Sequence, residues 1–194
     1  MNLENIESFG ICRKEDILSK MTIIKTKEFI LRPMRMSDAE TYLKIRNDPD
    51  SKRGFMSSVN TLAEAKKILR DYISEYKKKK PSKEVLAIEV DGEFAGWVDV
   101  HDMNQKYLEH IARIGYCLHP KFRGRGIMTR AVKLVINYTF KKYNLKRLEG
   151  ICRTFNKTSS HVLEKTGFKL EGIMRKNKFK DGKYLDDMVW AIVR

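Results

Sequence analysis

Ile114-Gly115-Tyr116-Cys117-Leu118-His119-Pro120-Lys121-Phe122-Arg123-Gly124-Arg125-Gly126-Ile127-Met128 decides the fold. An apolar, β-prone run enters a basic turn with two glycines, and an amphipathic pattern follows. Ile127, Ala131, Leu134, Val135 and Tyr138 recur at helical spacing, which predicts a helix from about Ile127 to Tyr143. Gly124 and Gly126 allow positive φ and a close backbone approach. The helix start adds free N–H groups and a positive dipole end. Strand, turn and helix together form a cradle suited to a pyrophosphate. The spacing lacks the third glycine of G-x-G-x-x-G and the G-K-[ST] of a P-loop. An ordinary basic strand–helix turn would look the same on these residues alone.

Around this segment the chain reads as alternating strands and helices. Ile23–Met34 is expected as one strand, with Pro33 marking its end or an edge. Ser37 to Glu40 and Thr61 to Glu64 have capping-box spacing, so helices should start there, the first running to about Arg46. Asn47-Asp48-Pro49-Asp50 should break the first. Val85–Val90 and Phe94–Val100 flank Asp91-Gly92, a hairpin signal. Strands follow at Ile111–Leu118 and Arg147–Cys152, then a short helix from Asn156 to Thr166 closed by Gly167. Phe168–Arg175 and Tyr184–Val193 should be strands joined around Asp181-Gly182. The order β-α-α-β-β-β-α-β-α-β-β is that of a mixed α/β domain.

Composition bounds the function. The 194 residues carry 40 Lys+Arg against 25 Asp+Glu, a net charge of +15, with 42% hydrophobic residues. That apolar content excludes a disordered polycation, and no run of about 18 apolar residues suggests a membrane span. One domain is expected over 21–194, with 1–20 as a separate extension and Met21 as an alternative start. The first 20 residues lack the basic-then-apolar order of a secretion signal. Cys12, Cys117 and Cys152 make no C-x-x-C, and four histidines make no ligand spacing. No metal is expected, and the cysteines suit a reducing cytoplasm. Lys141 to Lys183 holds 13 basic and 4 acidic residues. Lys77–Lys80 forms a second basic run, read as a solvated turn ending a helix rather than a phosphate patch. The charge favours polyanions, RNA or phosphate-bearing cofactors. No nucleic-acid motif accompanies it.

Arg123-x-x-Gly126-x-Met128 resembles the acetyl-CoA signature of the GNAT N-acetyltransferase superfamily. Asn156-Lys157-Thr158-Ser159 and Lys165-Thr166-Gly167-Phe168-Lys169-Leu170-Glu171-Gly172 follow in the matching order. The string is similar to the branch of ribosomal-protein N-terminal acetyltransferases, over essentially Met21 to Arg194. Met128 departs from the superfamily's Gly/Ala. The resemblance implies an α+β fold with a mixed, mostly antiparallel twisted sheet of about seven strands, flanked by about four helices. Its middle strands, Ile111–Leu118 and Arg147–Cys152, should splay.

The resemblance further implies acetyl-CoA as cosubstrate. Tyr116, Cys117 and Leu118 would pair with its pantetheine arm like an added strand. Arg123, Gly124, Arg125, Gly126, Ile127, Met128 and Thr129 would hold its pyrophosphate, and Asn156 would touch the arm while capping a helix. Acetyl transfer to a primary amine by direct attack needs a base for the amine and an acid for the thiolate. The tyrosine many members use as acid is Leu163 here, so Ser159 is the expected donor. Positions where relatives carry Glu hold Arg113 and Lys178, so the base is expected to be Glu149 or a water chain to a backbone carbonyl. The alternative role of Glu149 is a salt bridge with Arg147, Arg153 or Arg113. Cys117 and Cys152 read as small buried hydrophobes, with a CoA mixed disulfide expected only under oxidation. The acceptor is open between a protein N-terminus and a small-molecule or antibiotic amine. The rival from another class is a ribosome- or RNA-binding protein on this scaffold. Monomer and homodimer are both compatible, and no membrane partner is expected.

Overall fold

The computed structural model describes residues 23–194. The extension 1–20 and Met21 lie outside the described residues. One eight-stranded sheet runs β1 (Ile24–Lys25), β2 (Ile30–Pro33), β3 (Glu84–Val90), β4 (Glu93–His101), β5 (Ile111–Leu118), β6 (Arg147–Arg153), then β8 (Lys183–Val193) and β7 (Lys169–Lys180) at the edge. Every pairing is antiparallel except β5 with β6. Five helices flank it: α1 (Ala39–Asn47), α2 (Pro49–Gly54), α3 (Leu62–Glu75), α4 (Ile127–Tyr143) and α5 (Lys157–Lys165).

Strand alternation sorts the side chains into two cores. Val98, Val100, Ala112, Ile114 and Leu148 face one way and meet Ile127, Ala131, Val135 and Ile136 of α4 with Leu163 of α5. Val85, Ala87 and Trp97 face the other way, against Tyr42 and Ile45 of α1 and Ala65 and Leu69 of α3. Cys117 of β5 packs on this second core. The two faces of the sheet are therefore separately covered, and the middle strands are reachable from their ends.

The hairpins form where Asp-Gly predicts them. Asp91 and Gly92 have φ of 50° and 79°, and Val90 pairs with Glu93. Two positive φ values give a turn whose twist matches its strands. Asp181 and Gly182 repeat this between Lys180 and Lys183. The second capping box also forms, with Thr61 Oγ1 accepting from Glu64 N at 3.2 Å and Glu64 returning a bond to Thr61 N. Lys77–Lys80 follows α3 as an exposed turn.

Three expectations change. Ile23–Met34 is two short strands, because Thr26 accepts from Phe29 N through its side chain at 2.9 Å and folds the chain into a turn. Ser37 does not cap α1. Asp38 precedes the helix and its carboxylate accepts from Arg35 N at 2.7 Å and from buried Arg32. Asn47 to Asp50 does end α1, yet Asp48 immediately caps α2, with Pro49 in the first helical position. Pro there loses no needed N–H. These changes give eight strands and five helices in place of about seven and about four.

Candidate active site

The parallel pairing of β5 with β6 is short. Ile111 to Ile114 match Arg147 to Gly150, and there the pairing stops. Gly115 to Leu118 stay bonded to β4, and Ile151 to Arg153 stay bonded to β8. Two middle strands held from outside and released from each other leave a wedge between Tyr116–Leu118 and Ile151–Arg153. Backbone groups on the wedge edge of β5 can pair with an extended ligand. The Leu118 carbonyl is already in use, accepting from Arg123 Nε at 3.1 Å.

At the wedge mouth the chain turns through Pro120–Phe122 into Gly124 and Gly126, with φ of 76° and 71°. Gly126 is the N-cap of α4 and has no side-chain cap. The first-turn amides of Ile127, Met128 and Thr129 thus start a 17-residue helix without a protein side chain capping them. This leaves an anion cradle built from backbone. A side chain on Gly126 would meet Arg130 Nη1 at 2.9 Å, so Arg130 lies directly over the turn. It donates to the Arg125 carbonyl at 3.1 Å and pairs with Glu28. Arg130 is a cation at this turn that the motif spacing did not single out.

The two turn arginines differ. Arg125 is exposed, its guanidinium 6.0 Å from the Phe122 ring centroid. Arg123 points inward, donating to Asp48 at 2.6 Å and Ser51 Oγ at 2.8 Å. Its amide donates to Pro120 O. The expected phosphate contact of Arg123 therefore competes with bonds that already tie the turn to α2.

Ser159 lies in the first turn of α5. Asn156 caps that helix, accepting from Ser159 N at 3.1 Å. Tyr116 OH lies 3.0 Å from Ser159 Oγ and donates to Ser159 O at 3.0 Å. Burial pushes the Tyr116 phenol up, against the Ser159 hydrogen bond, so it is held neutral as a donor. Burial also pushes the Cys152 thiol up, with Ser159 beside it working the other way. Tyr116, Cys152 and Ser159 thus form one polar cluster at the wedge.

Glu149 is elsewhere. It receives Arg113 Nε at 3.2 Å and Arg147 Nε at 2.8 Å, and Arg147 continues to Glu171. Arg153 pairs with buried Asp187 instead. Next to Glu149 on β6, a side chain on Gly150 would meet Leu163 of α5 at 2.5 Å, so Gly150 faces α5. Strand alternation then sends Glu149 to the opposite face. The structure brings Ser159 together with Tyr116 and Cys152, and does not bring Ser159 together with Glu149.

A polar cavity of about 450 Å³ opens on the Trp97 face of the sheet, lined by Tyr72, Lys83, Asp99, His101, Asp102 and Gln105 among others. Sequence reading missed it, because its residues come from α3, β3, β4 and the loop after β4. No grouping of histidine, cysteine and carboxylates suited to a metal occurs among the described residues. Nor is any described helix long and apolar enough to cross a membrane.

Comparison with known proteins agrees with the fold. Residues 28–169 match the family model described as the acetyltransferase (GNAT) domain. The chain belongs to the GNAT acetyltransferase family and is an N-acetyltransferase by class. A relative from Bacillus subtilis, described as the probable N-acetyltransferase YjcK, is 31% identical over 88% of this chain and 97% of its own length. The spermidine N(1)-acetyltransferase of Escherichia coli is 33% identical over 51% of this chain and 52% of its own. Among solved structures, RimL, a ribosomal L7/L12 alpha-N-protein acetyltransferase in complex with coenzyme A, superposes with a TM-score of 0.79 at 22% identity, over 89% and 98% of the two chains.

Proposed function

We propose that the protein transfers the acetyl group of acetyl-CoA to a primary amine, by direct attack of the amine within a ternary complex. The observation that carries this is the β5–β6 pairing that stops at Ile114 and Gly150, directly before an uncapped helix start with two positive-φ glycines. An extended thiol arm fits the wedge and a diphosphate fits the turn. Tyr116, Cys117 and Leu118 face the arm through their backbone. Gly124 to Thr129 receive the diphosphate with Arg125, while Arg123 positions the turn. Asn156 caps α5 and borders the arm. Ser159, bonded to neutral Tyr116, supplies the proton to the departing thiolate. Glu149 is the base the sequence offers, but Arg113 and Arg147 both hold it and it lies on the face opposite α5 and Ser159. The acceptor reading is a protein N-terminal amine, as for RimL, the ribosomal alpha-N-protein acetyltransferase of like fold.

The test is an acetyltransferase assay against N-terminal peptides, polyamines and aminoglycosides. Gly126→Glu adds a negative side chain at a positive-φ position beside the diphosphate, and should weaken acetyl-CoA binding more than about tenfold. Ser159→Ala should lower kcat about a hundredfold with acetyl-CoA affinity kept. Wild-type kcat in both Ser159→Ala and Glu149→Gln would remove the pair from the mechanism. Turnover of peptides but not polyamines supports the N-terminal reading, and the reverse preference overturns it.

A further inference from the structure

Asp99 and His101 sit two residues apart on β4, on the face that carries Trp97, opposite the α4 core. Asp99 pairs in register with Gly115, and a side chain on Gly115 would meet both Asp99 carboxylate oxygens at 2.9 Å. Gly115 is the first β5 residue beyond the last β6 pairing. The Asp99 carboxylate is therefore fixed at the apex of the wedge. It lies 2.7 Å from His101 Nδ1. In the neutral ring, an Nδ1–H donating to this carboxylate leaves Nε2 its lone pair. Both residues line the cavity of about 450 Å³, which is large enough for the end of a chain bearing an amine. His101 is 39% exposed and Asp99 21%, so the imidazole is reachable and its carboxylate partner is more sheltered.

We propose that His101 is the general base that deprotonates the acceptor amine, held in its working tautomer by Asp99, and that the cavity is the acceptor pocket. This rests on the acetyl-transfer reading above. The acceptor ammonium gives one proton to His101 Nε2 and becomes the nucleophile. Its lone pair forms the C–N bond to the thioester carbon as the C–S bond breaks. The electron pair leaves on sulfur, Ser159 protonates that thiolate, and the surplus nitrogen proton replaces the one Ser159 gave up. His101 returns its own proton to solvent.

The groups facing His101 give the reaction a pH dependence. Burial disfavours the charged imidazole, but the hydrogen bond and charge of Asp99, with Asp102, outweigh it. Arg113, cross-strand from His101, pulls the other way. Tyr72 and Lys83 close the cavity from α3 and the approach to β3. The net result lifts His101 above its ordinary 6.5. A base works in its neutral form, so the rate climbs as pH rises through that lifted value.

The experiment uses the full chain, acetyl-CoA and the acceptor turned over best in the panel. His101→Gln should lower kcat about a hundredfold while KM for acetyl-CoA stays within about twofold, and should erase the acidic limb of the pH profile. Imidazole added to His101→Ala should restore part of the rate. Asp99→Asn should shift the acidic limb to lower pH. In the wild type, the His101 pKa followed by NMR should match the kinetic one. An unchanged pH profile in His101→Gln, or an NMR pKa away from the kinetic limb, overturns the assignment while acetyl transfer stands. Wild-type protein that binds acetyl-CoA yet acetylates no acceptor overturns both.

Discussion

Asp48 bonds three groups with one carboxylate. It caps α2 through Ser51 N at 3.0 Å, takes the Ser51 hydroxyl at 2.9 Å and receives Arg123 at 2.6 Å. Burial raises its pKa, yet the Arg123 and Ser51 bonds outweigh that and hold the carboxyl below its ordinary 3.8. A depressed carboxyl pKa adds stability that is present above the unfolded value and lost as pH falls through the folded one. Asp48→Asn keeps a capping oxygen but loses the charge. Arg123 is 34% exposed, so solvent screening limits the loss to about 1 kcal/mol. Urea unfolding should show that gap at pH 7 and a much smaller one at pH 3. An equal gap at both would place the effect in the cap rather than the charge. The sequence announced Asp48-Pro49 as a break, because turn chemistry and helix capping use the same residues. Only the fold brings Arg123, 75 positions away. Cross-strand pairing likewise hid Asp99 with His101, since their i, i+2 spacing is ordinary strand and their significance comes from Gly115 across the sheet.

Gly150 decides how closely α5 sits on the sheet. A methyl group there would meet Leu163 Cδ2 at 2.5 Å and Cδ1 at 3.2 Å, and Leu163 is almost fully buried. Gly150→Ala should cost about 1–3 kcal/mol by overpacking. It should also raise KM for acetyl-CoA, because α5 carries Asn156 and Ser159 into the wedge. Denaturant midpoints and steady-state kinetics check the two effects. A stability loss with unchanged KM would separate α5 packing from cofactor binding. Helices and strands were largely legible here. Period and turn residues placed β3 to β6, α3, α4 and α5, since each has a strong apolar pattern bounded by Gly, Asn or Asp-Gly. The short elements were not. β1, β2 and α2 contain two to six residues, too few to show a period, and they form because Thr26 and Asp48 close local turns. The long β7–β8 hairpin outran its predicted ends for the opposite reason. β7 is exposed along almost its whole length, so no burial alternation marks it.

Charge belongs to the molecule as a whole. Of 40 basic side chains, Arg32 and Arg153 are buried in ion pairs with Asp38 and Asp187, while Lys77–Lys80 and much of β7 face solvent. A net charge of +15 attracts polyanions without a specific site. RNA binding measured by fluorescence anisotropy should therefore fall more than about tenfold between 50 and 200 mM salt. Acetyl-CoA, with few charges, should weaken far less when measured by calorimetry. RNA binding that resists salt and ignores acetyl-CoA would favour the RNA-binding alternative. The fold class and the glycine turn before α4 were readable because both rest on local patterns. The acceptor side was not, because α3, β4 and the loop after it contribute single residues from distant parts of the chain.

Arg123 joins the turn before α4 to the start of α2, and Ser51 of α2 meets Cys117 on the Trp97 face of the sheet. α2 and Phe55 beyond it border the same core as Trp97 and Cys117, on the acceptor face. A diphosphate that draws Arg123 toward itself loosens Asp48, and an acceptor that extends beyond the cavity to α2 pushes back on the turn. Binding free energies at two such sites are reciprocal. Whatever factor acetyl-CoA applies to the acceptor's affinity, the acceptor must apply to acetyl-CoA, and Asp48→Asn should shrink both together.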